Sequence, residues 1–429
     1  MESLKYWIIR HYQAHYLIRE WKGQLNSLGK RLPAKRIKFT KKLEIKIFRK
    51  RIKSLSIARY ILSYLISALS HLFNKSKAAE EYENILVIRT DYLGDLALSS
   101  SLLSAIPSAF PNAALTLITV DCFASIFAND PNVFTVVGVS DYINIRDAWA
   151  LISRLRKSRF DLVLDLTPSW WTLLFGIVTM PFVRRYDKDK YMVGDSIRRT
   201  IVALSGHYER EYKREHDLIR ALRVIKDFYD IRNVPDTYFP LPKDVDDIFH
   251  SVASRFNLES KGYFIVTPGS QWEVRRWNVN KFAQAAIEIS RRYHLHIVIT
   301  GVQKEAEICN QLYQLTGETS INLAGQLSMQ EFLALIYHSR LLIGNDSGPA
   351  HVAAALKIPV VVIMGTADVE VFKPWGKNVR ICYREVLCGP CYSGRCYMPQ
   401  NICLQPVTVE EVVDAAVGLL DEPVREKNS

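Results

Sequence analysis

From residue 84 onward the chain returns repeatedly to short runs built almost wholly of apolar residues, each followed by a stretch with helical spacing. ILVIRT leads into LALSSSLLSAIPSAF, ALTLITV into DCFASIFAN, and DLVLDLT closes another unit near residue 167. A strand with one face in water alternates polar and apolar residues. A strand that is apolar throughout is covered on both faces, as in a parallel sheet sandwiched between helices. The pattern pauses near residues 232–245, where RNVPDTYFPLPKDVDD carries three prolines and clustered acids and reads as a linker. It restarts with GYFIVTPGS, a helix over residues 279–293, then HLHIVITG, SINLAG, RLLIGNDSG and IPVVVIMG. A last helix, VTVEEVVDAAVGLL, opens at Thr408 with Glu410 and Glu411 in its first turn, which suits the positive end of a helix dipole. A chain of 429 residues exceeds one ordinary core. Two consecutive doubly wound α/β domains are expected, with ligands in the cleft between their strand C-termini.

Several turns in that cleft carry polar groups. ILVIRTDYLGDLAL, residues 85–98, puts Asp91 and Asp95 around Gly94 at the mouth of a buried strand. Either acid can cap a turn, and either can take a proton. TPGS, ending at Gly269 and Ser270, has small residues and free amides that suit an anion, with Arg275 and Arg276 just beyond. In NDSGPAH, Asp346, Ser347 and Gly348 precede a helix with Pro349 and His351 in its first turn, where unpaired amides again face outward. MGTAD follows at the next strand end. No Walker A loop or spaced-glycine dinucleotide fingerprint occurs, which disfavours kinases and dehydrogenases.

The net charge of +12 belongs to one segment. Residues 1–77 hold 19 Lys and Arg against Glu2, Glu20 and Glu44, whereas the rest carries 37 basic and 41 acidic side chains. A nearly neutral body argues against a nucleic-acid enzyme with a charged groove, and no nucleic-acid partner is expected. The start lacks the clean apolar core of a secretory signal. Residues 55–73, LSIARYILSYLISALSHLF, place Ile57, Tyr60, Ile61, Tyr64, Leu65, Leu69 and Leu72 on one helical stripe after the basic run KFTKKLEIKIFRKRIK. That combination reads as a basic amphipathic element lying on an anionic membrane surface; a self-packed arm and a true span are the other readings.

Cys388, Cys391, Cys396 and Cys403 have the spacing of a structural metal site, suited to zinc or iron, with reduced free thiols as the alternative. The absence of an export signal disfavours disulfides. Cys122, Cys309 and Cys382 read as core or near-core residues.

Taken together, ILVIRTDYLGDLALSSSLLSAI, FDLVLDLT, TPGSQWEVRRWNVNKFAQ, the long block from INLAGQ to MGTAD, and CGPC resemble glycosyltransferase family 9, the heptosyltransferases of lipopolysaccharide core assembly. The likeness runs from about residue 84 to 420. It implies a GT-B fold, two Rossmann-like domains facing a cleft. It also implies an inverting, metal-independent transfer from a nucleotide sugar, typically ADP-heptose, with no catalytic cofactor. The implied layout is a basic helical extension over 1–82, an acceptor domain over 83–235, and a nucleotide-sugar domain over 236–429 with its cysteine-rich loop at 388–403.

Carried across by position, the general base falls on Asp95, leaving Asp91 to cap the turn. Thr90, Gly94, Gly269, Ser270, Arg275, Trp277, Asp346, Ser347, Gly348 and His351 fall around the donor, Arg275 standing where the family commonly has Lys. Arg184, Arg185, Lys188, Arg198 and Arg199 form a basic wall suited to a phosphorylated lipid or glycan acceptor, or merely a solvated face. Related autotransporter heptosyltransferases carry an iron-binding cysteine finger, which adds to the metal reading. The expected setting is cytoplasmic, at the inner face of a bacterial inner membrane. A nucleotide-sugar epimerase and a catalytically silent scaffold are the competing readings.

Overall fold

The computed structural model describes residues 78–422, except 141–142, 168–170, 173–174, 176–181, 186–214, 387, 392–393, 397 and 399–400; residues 182–185 are described by backbone alone. The basic arm, Lys188, Arg198 and Arg199 therefore lie outside the described residues. Among those described, no helix is long and apolar enough to cross a membrane.

Two separate parallel sheets form. The first contains β1 (Asn84–Ile88), β2 (Ala114–Val120), β3 (Thr135–Val139), β4 (Leu162–Asp165) and β5 (Phe182–Arg185), in the order β3-β2-β1-β4-β5. Its helices are α1 (Leu93–Ala109), α2 (Asp121–Phe127), α3 (Ile145–Leu155) and α4 (Asp217–Leu222). The second contains β6 (Tyr263–Thr267), β7 (His296–Ile299), β8 (Ser320–Asn322), β9 (Leu342–Asn345), β10 (Val360–Met364) and β11 (Val379–Tyr383), in the order β11-β10-β9-β6-β7-β8. Around it lie α5 (Val245–Phe256), α6 (Val279–Tyr293), α7 (Ala306–Thr316), α8 (Met329–His338), α9 (Gly348–Ala355), α10 (Val369–Phe372) and α11 (Val409–Leu420).

The apolar strand runs behave as two-sided burial requires. Every residue of β6 and β10 is buried, and in β1 all but Asn84. Helix starts are set by local side chains: Asn278 caps α6, and the Ser328–Glu331 and Thr408–Glu411 pairs form reciprocal capping boxes on α8 and α11. Each such cap stabilises its helix by about 1 kcal/mol.

Strand order places the site. In the first sheet the winding reverses between β1 and β4, and in the second between β6 and β9. A reversal leaves a crevice beyond the strand C-termini because the following connections depart to opposite faces. Here those crevices are rimmed by Arg89–Asp95 with Asp165–Thr167, and by Thr267–Ser270 with Asn345–Gly348.

The two sheets are joined through α1. It is buried continuously from Leu96 to Leu103, polar serines included, because α9 and α4 both pack against it. The serines are satisfied locally or by the inter-sheet segment: Ser101 donates to the Pro235 carbonyl at 2.5 Å, and Ser100 accepts from the Tyr238 amide at 2.9 Å. Across the same segment, Lys357 donates to the Thr237 carbonyl at 3.0 Å. One apolar cluster accordingly runs from Leu96 and Ala97 in α1 to Ala350 and Ala353 in α9.

Candidate active site

At the first switch point, β1 is followed directly by Arg89, whose side chain is 1% exposed. Its guanidinium donates to the Leu166 carbonyl at 3.1 Å and stands among three carboxylates: Asp95 at 3.4 Å, Asp91 at 3.7 Å and Asp217 of α4 at 3.8 Å. The β1 and β4 ends are laced together. The Thr90 amide donates to the Thr167 hydroxyl at 3.1 Å, and that hydroxyl donates to the Asp91 carboxylate. Asp91 thus helps to tie two strand ends, while Tyr92, the N-cap of α1, supplies no side-chain bond. Asp95 sits in the first turn of α1 with its side chain 14% exposed, open to the cleft.

At the second switch point Asn345 holds three loops. Its amide donates to the Pro268 and Gly269 carbonyls at 2.8 and 3.2 Å, and its oxygen accepts from the Trp277 amide at 2.8 Å. Arg276 clamps the Ser270 carbonyl through two nitrogens at 3.1 and 3.0 Å. Arg275 reaches Asp346 at 3.3 Å. Burial pushes the Asp346 carboxyl above the ordinary carboxylate range; Arg275 opposes that and Asp95 adds to it. Ser347 precedes α9 without capping it, its hydroxyl donating to the Asn345 carbonyl at 3.2 Å.

The two crevices face each other at close range. A Cβ on Gly94 would lie 2.8 Å from Cδ2 of His351 and 3.5 Å from Cα of Gly348. A Cβ on Gly348 would lie 2.9 Å from Leu93 Cβ. These glycines let the starts of α1 and α9 meet, which brings the first turn of α1, with Asp95, up to the first turn of α9. Burial drives His351 down to about 4, with Asp95 pulling the other way, so the imidazole is neutral at physiological pH. Its Nδ1 is buried without a hydrogen-bond partner. Beside this contact, Gln271 donates to the Tyr92 hydroxyl across the cleft at 3.0 Å.

Several expected residues take different places. Trp277 does not line the cleft: it is 1% exposed, packs edge-on against Phe282, and donates its indole N–H to the Val407 carbonyl. It supports the Arg275 loop from beneath. Gly269 and Ser270 are buried, and a Cβ on Gly269 would meet the Glu305 carboxyl at 2.3 Å. An acid therefore already stands against the turn read as an anion cradle. Glu305, Arg89 and Asp217 were not singled out from sequence. Arg184 and Arg185 are on β5, next to β4 in the same sheet.

The four clustered cysteines form no disulfide. Among the described residues no group of three or more His, Cys, Asp or Glu stands close enough to hold a metal ion. The thiols are nonetheless neighbours: burial pushes Cys403 up to about 12, and Cys391, Cys388 and Cys396 all act on it in the same direction. Their loop braces the donor side. The Cys391 amide donates to the Thr366 carbonyl at 3.1 Å, Asn401 donates to the Val274 carbonyl at 2.7 Å, and Gly394 lies against the Trp272 ring. Of the other three cysteines, Cys309 and Cys382 are buried, but Cys122 is exposed, because the start of α2 turns it outward.

The family model for glycosyltransferase family 9 (heptosyltransferase) matches residues 148–401, more than half of the chain. The chain belongs to glycosyltransferase family 9. The match begins beyond the Asp95 turn. Lipopolysaccharide heptosyltransferase 3 of Escherichia coli K12 is 24% identical over 298 residues, covering 67% of this chain and 84% of that protein. The crystal structure of a family 9 glycosyltransferase from Veillonella parvula aligns with a TM-score of 0.65 and 19% identity, covering 81% of this chain and 99% of that one. E. coli ADP-heptose lipopolysaccharide heptosyltransferase II aligns with a TM-score of 0.61 and 19% identity, covering 79% and 98%. This family 9 member is thus a glycosyltransferase of GT-B architecture, two Rossmann-like sheets meeting at a cleft.

Proposed function

We propose that this protein is an inverting heptosyltransferase that moves heptose from ADP-heptose onto a lipopolysaccharide core or a similar phosphorylated cell-surface glycan. The observation that carries the reading is the placement of Asp95, partly open to the cleft, directly across from the start of α9.

Asp95 takes the proton of the acceptor hydroxyl as that oxygen attacks the anomeric carbon. The nucleoside diphosphate departs from the opposite face toward the start of α9, where the helix dipole favours the growing negative charge. Arg275 adds positive charge beside Asp346, and neutral His351 offers a hydrogen bond without a charge of its own. Asp346, held above the ordinary carboxylate range, suits sugar hydroxyls. A single displacement with one base inverts the anomeric centre. Proton NMR of the first product should show the configuration opposite to the donor's; retention would overturn the single-displacement step.

The basic wall from Arg184 to Arg199 and the arm over residues 1–77 complete the proposal. The wall receives the acceptor's phosphates, and the arm holds the enzyme on the anionic inner face of the inner membrane. The charge segregation supports this, since 19 basic side chains fall in the arm while the body is slightly acidic. A structural zinc or iron at Cys388, Cys391, Cys396 and Cys403 rests on their spacing and on the influence of the other three thiols on Cys403. In the present arrangement the four side chains do not make a metal centre.

A further inference from the structure

We propose that Arg89 is the positioning residue of this site, and that Asp217 on α4 sets how much of its charge reaches the base. The inference rests on Asp95 being that base. Arg89 occupies the last position before the β1 turn, and its side chain is withdrawn from solvent. From there it cannot touch a sugar in the cleft. Its guanidinium is fixed by the Leu166 carbonyl on the β4 side, so its remaining N–H groups are aimed by the sheet itself. Three acids converge on it from three pieces of chain: Asp95 from α1, Asp91 from the turn and Asp217 from α4.

One positive charge divided among three carboxylates is a graded device. Arg89 favours the ionised form of Asp95 and holds its carboxylate toward the cleft. Asp217, 2% exposed, lies against the same terminal nitrogen of the guanidinium as Asp95, competes for the same charge and repels Asp95. The groups facing Asp95 from the second domain are His351, which is neutral, and Asp346, which is paired with Arg275. His216 and Arg220 accompany Asp217 on the α4 side. Removing Arg89 and removing Asp217 must therefore move the base in opposite directions, which loss of packing alone would not do.

The test uses the full chain, with ADP-heptose and a truncated lipopolysaccharide core as substrates. In parallel, the Asp95 carboxyl is titrated by 13C NMR, its signal assigned with Asp95→Asn. Arg89→Gln should raise both the acidic limb of the kcat profile and the NMR midpoint by about one to two pH units, with donor KM nearly unchanged. Arg89→Lys should restore most of the shift. Asp217→Asn should lower both. A folded Arg89→Gln with an unmoved limb and midpoint overturns the proposal. If that variant does not fold, an Asp217→Asn titration identical to wild type does the same. Turnover surviving in Asp95→Asn would instead remove Asp95 as the base, while the NMR shifts would still report on the Arg89 coupling.

Discussion

Gly94→Ala tests the meeting of the two helix starts. The new Cβ would sit 2.8 Å from Cδ2 of the buried His351 ring. Carbon atoms prefer about 3.5 to 4.0 Å, so α1 and α9 must separate by roughly 1 Å, Gly348 Cα already lying 3.5 Å from the new atom. The overpacking costs about 1–3 kcal/mol. Replacing a helical glycine by alanine returns up to about 1 kcal/mol, so the melting temperature should fall only slightly. The catalytic effect is larger, because a displacement of about 1 Å between reacting groups can cost on the order of a hundredfold in rate. Steady-state transfer assays should show kcat down by about two orders of magnitude, with nucleotide-sugar affinity by calorimetry within a few-fold of wild type. A variant with wild-type kcat would show that transfer does not depend on this close approach.

His351, held near 4 against an ordinary value of 6.5, contributes stability that is complete above pH 6.5 and lost as pH falls toward 4, by about 3 kcal/mol at most. His351→Gln should flatten melting temperature against pH across that window; an unchanged slope would contradict the burial reading. Elemental analysis should find about one zinc or iron per chain, lost in Cys388→Ser, and a metal-free wild type would leave the loop as reduced thiols. Deleting residues 1–77 should abolish binding to anionic vesicles while transfer to a soluble acceptor analogue continues; equal vesicle binding by the shortened chain would remove the arm's proposed role.

The strands were plain from the sequence because two-sided burial leaves no polar residue within ILVI or VVVIM to confuse their reading. The site turns were legible for a related reason: each follows such a strand at a reversal of winding. What stayed hidden depends on side chains that meet only in three dimensions. Arg89 looks like an ordinary charged strand end, and nothing local to it announces Asp217, 128 residues further along and brought in by the packing of α4 on α1. Glu305 follows the strand HLHIVITG at a short interval, a signal that would have found it. Trp277 entered the donor set only through the family resemblance, whereas in the fold its indole N–H donates to a buried carbonyl.

Asp95→Asn, assayed on a single preparation for ADP-heptose affinity and for single-turnover transfer, interrogates the proposed chemistry most directly. The amide keeps the shape of the turn but cannot accept the acceptor's proton. Affinity should stay within a few-fold of wild type, while transfer drops by about 10²–10⁴-fold, the usual range for losing a general base. Transfer at the wild-type rate with the donor still bound would show that the carboxylate at position 95 does not take the proton.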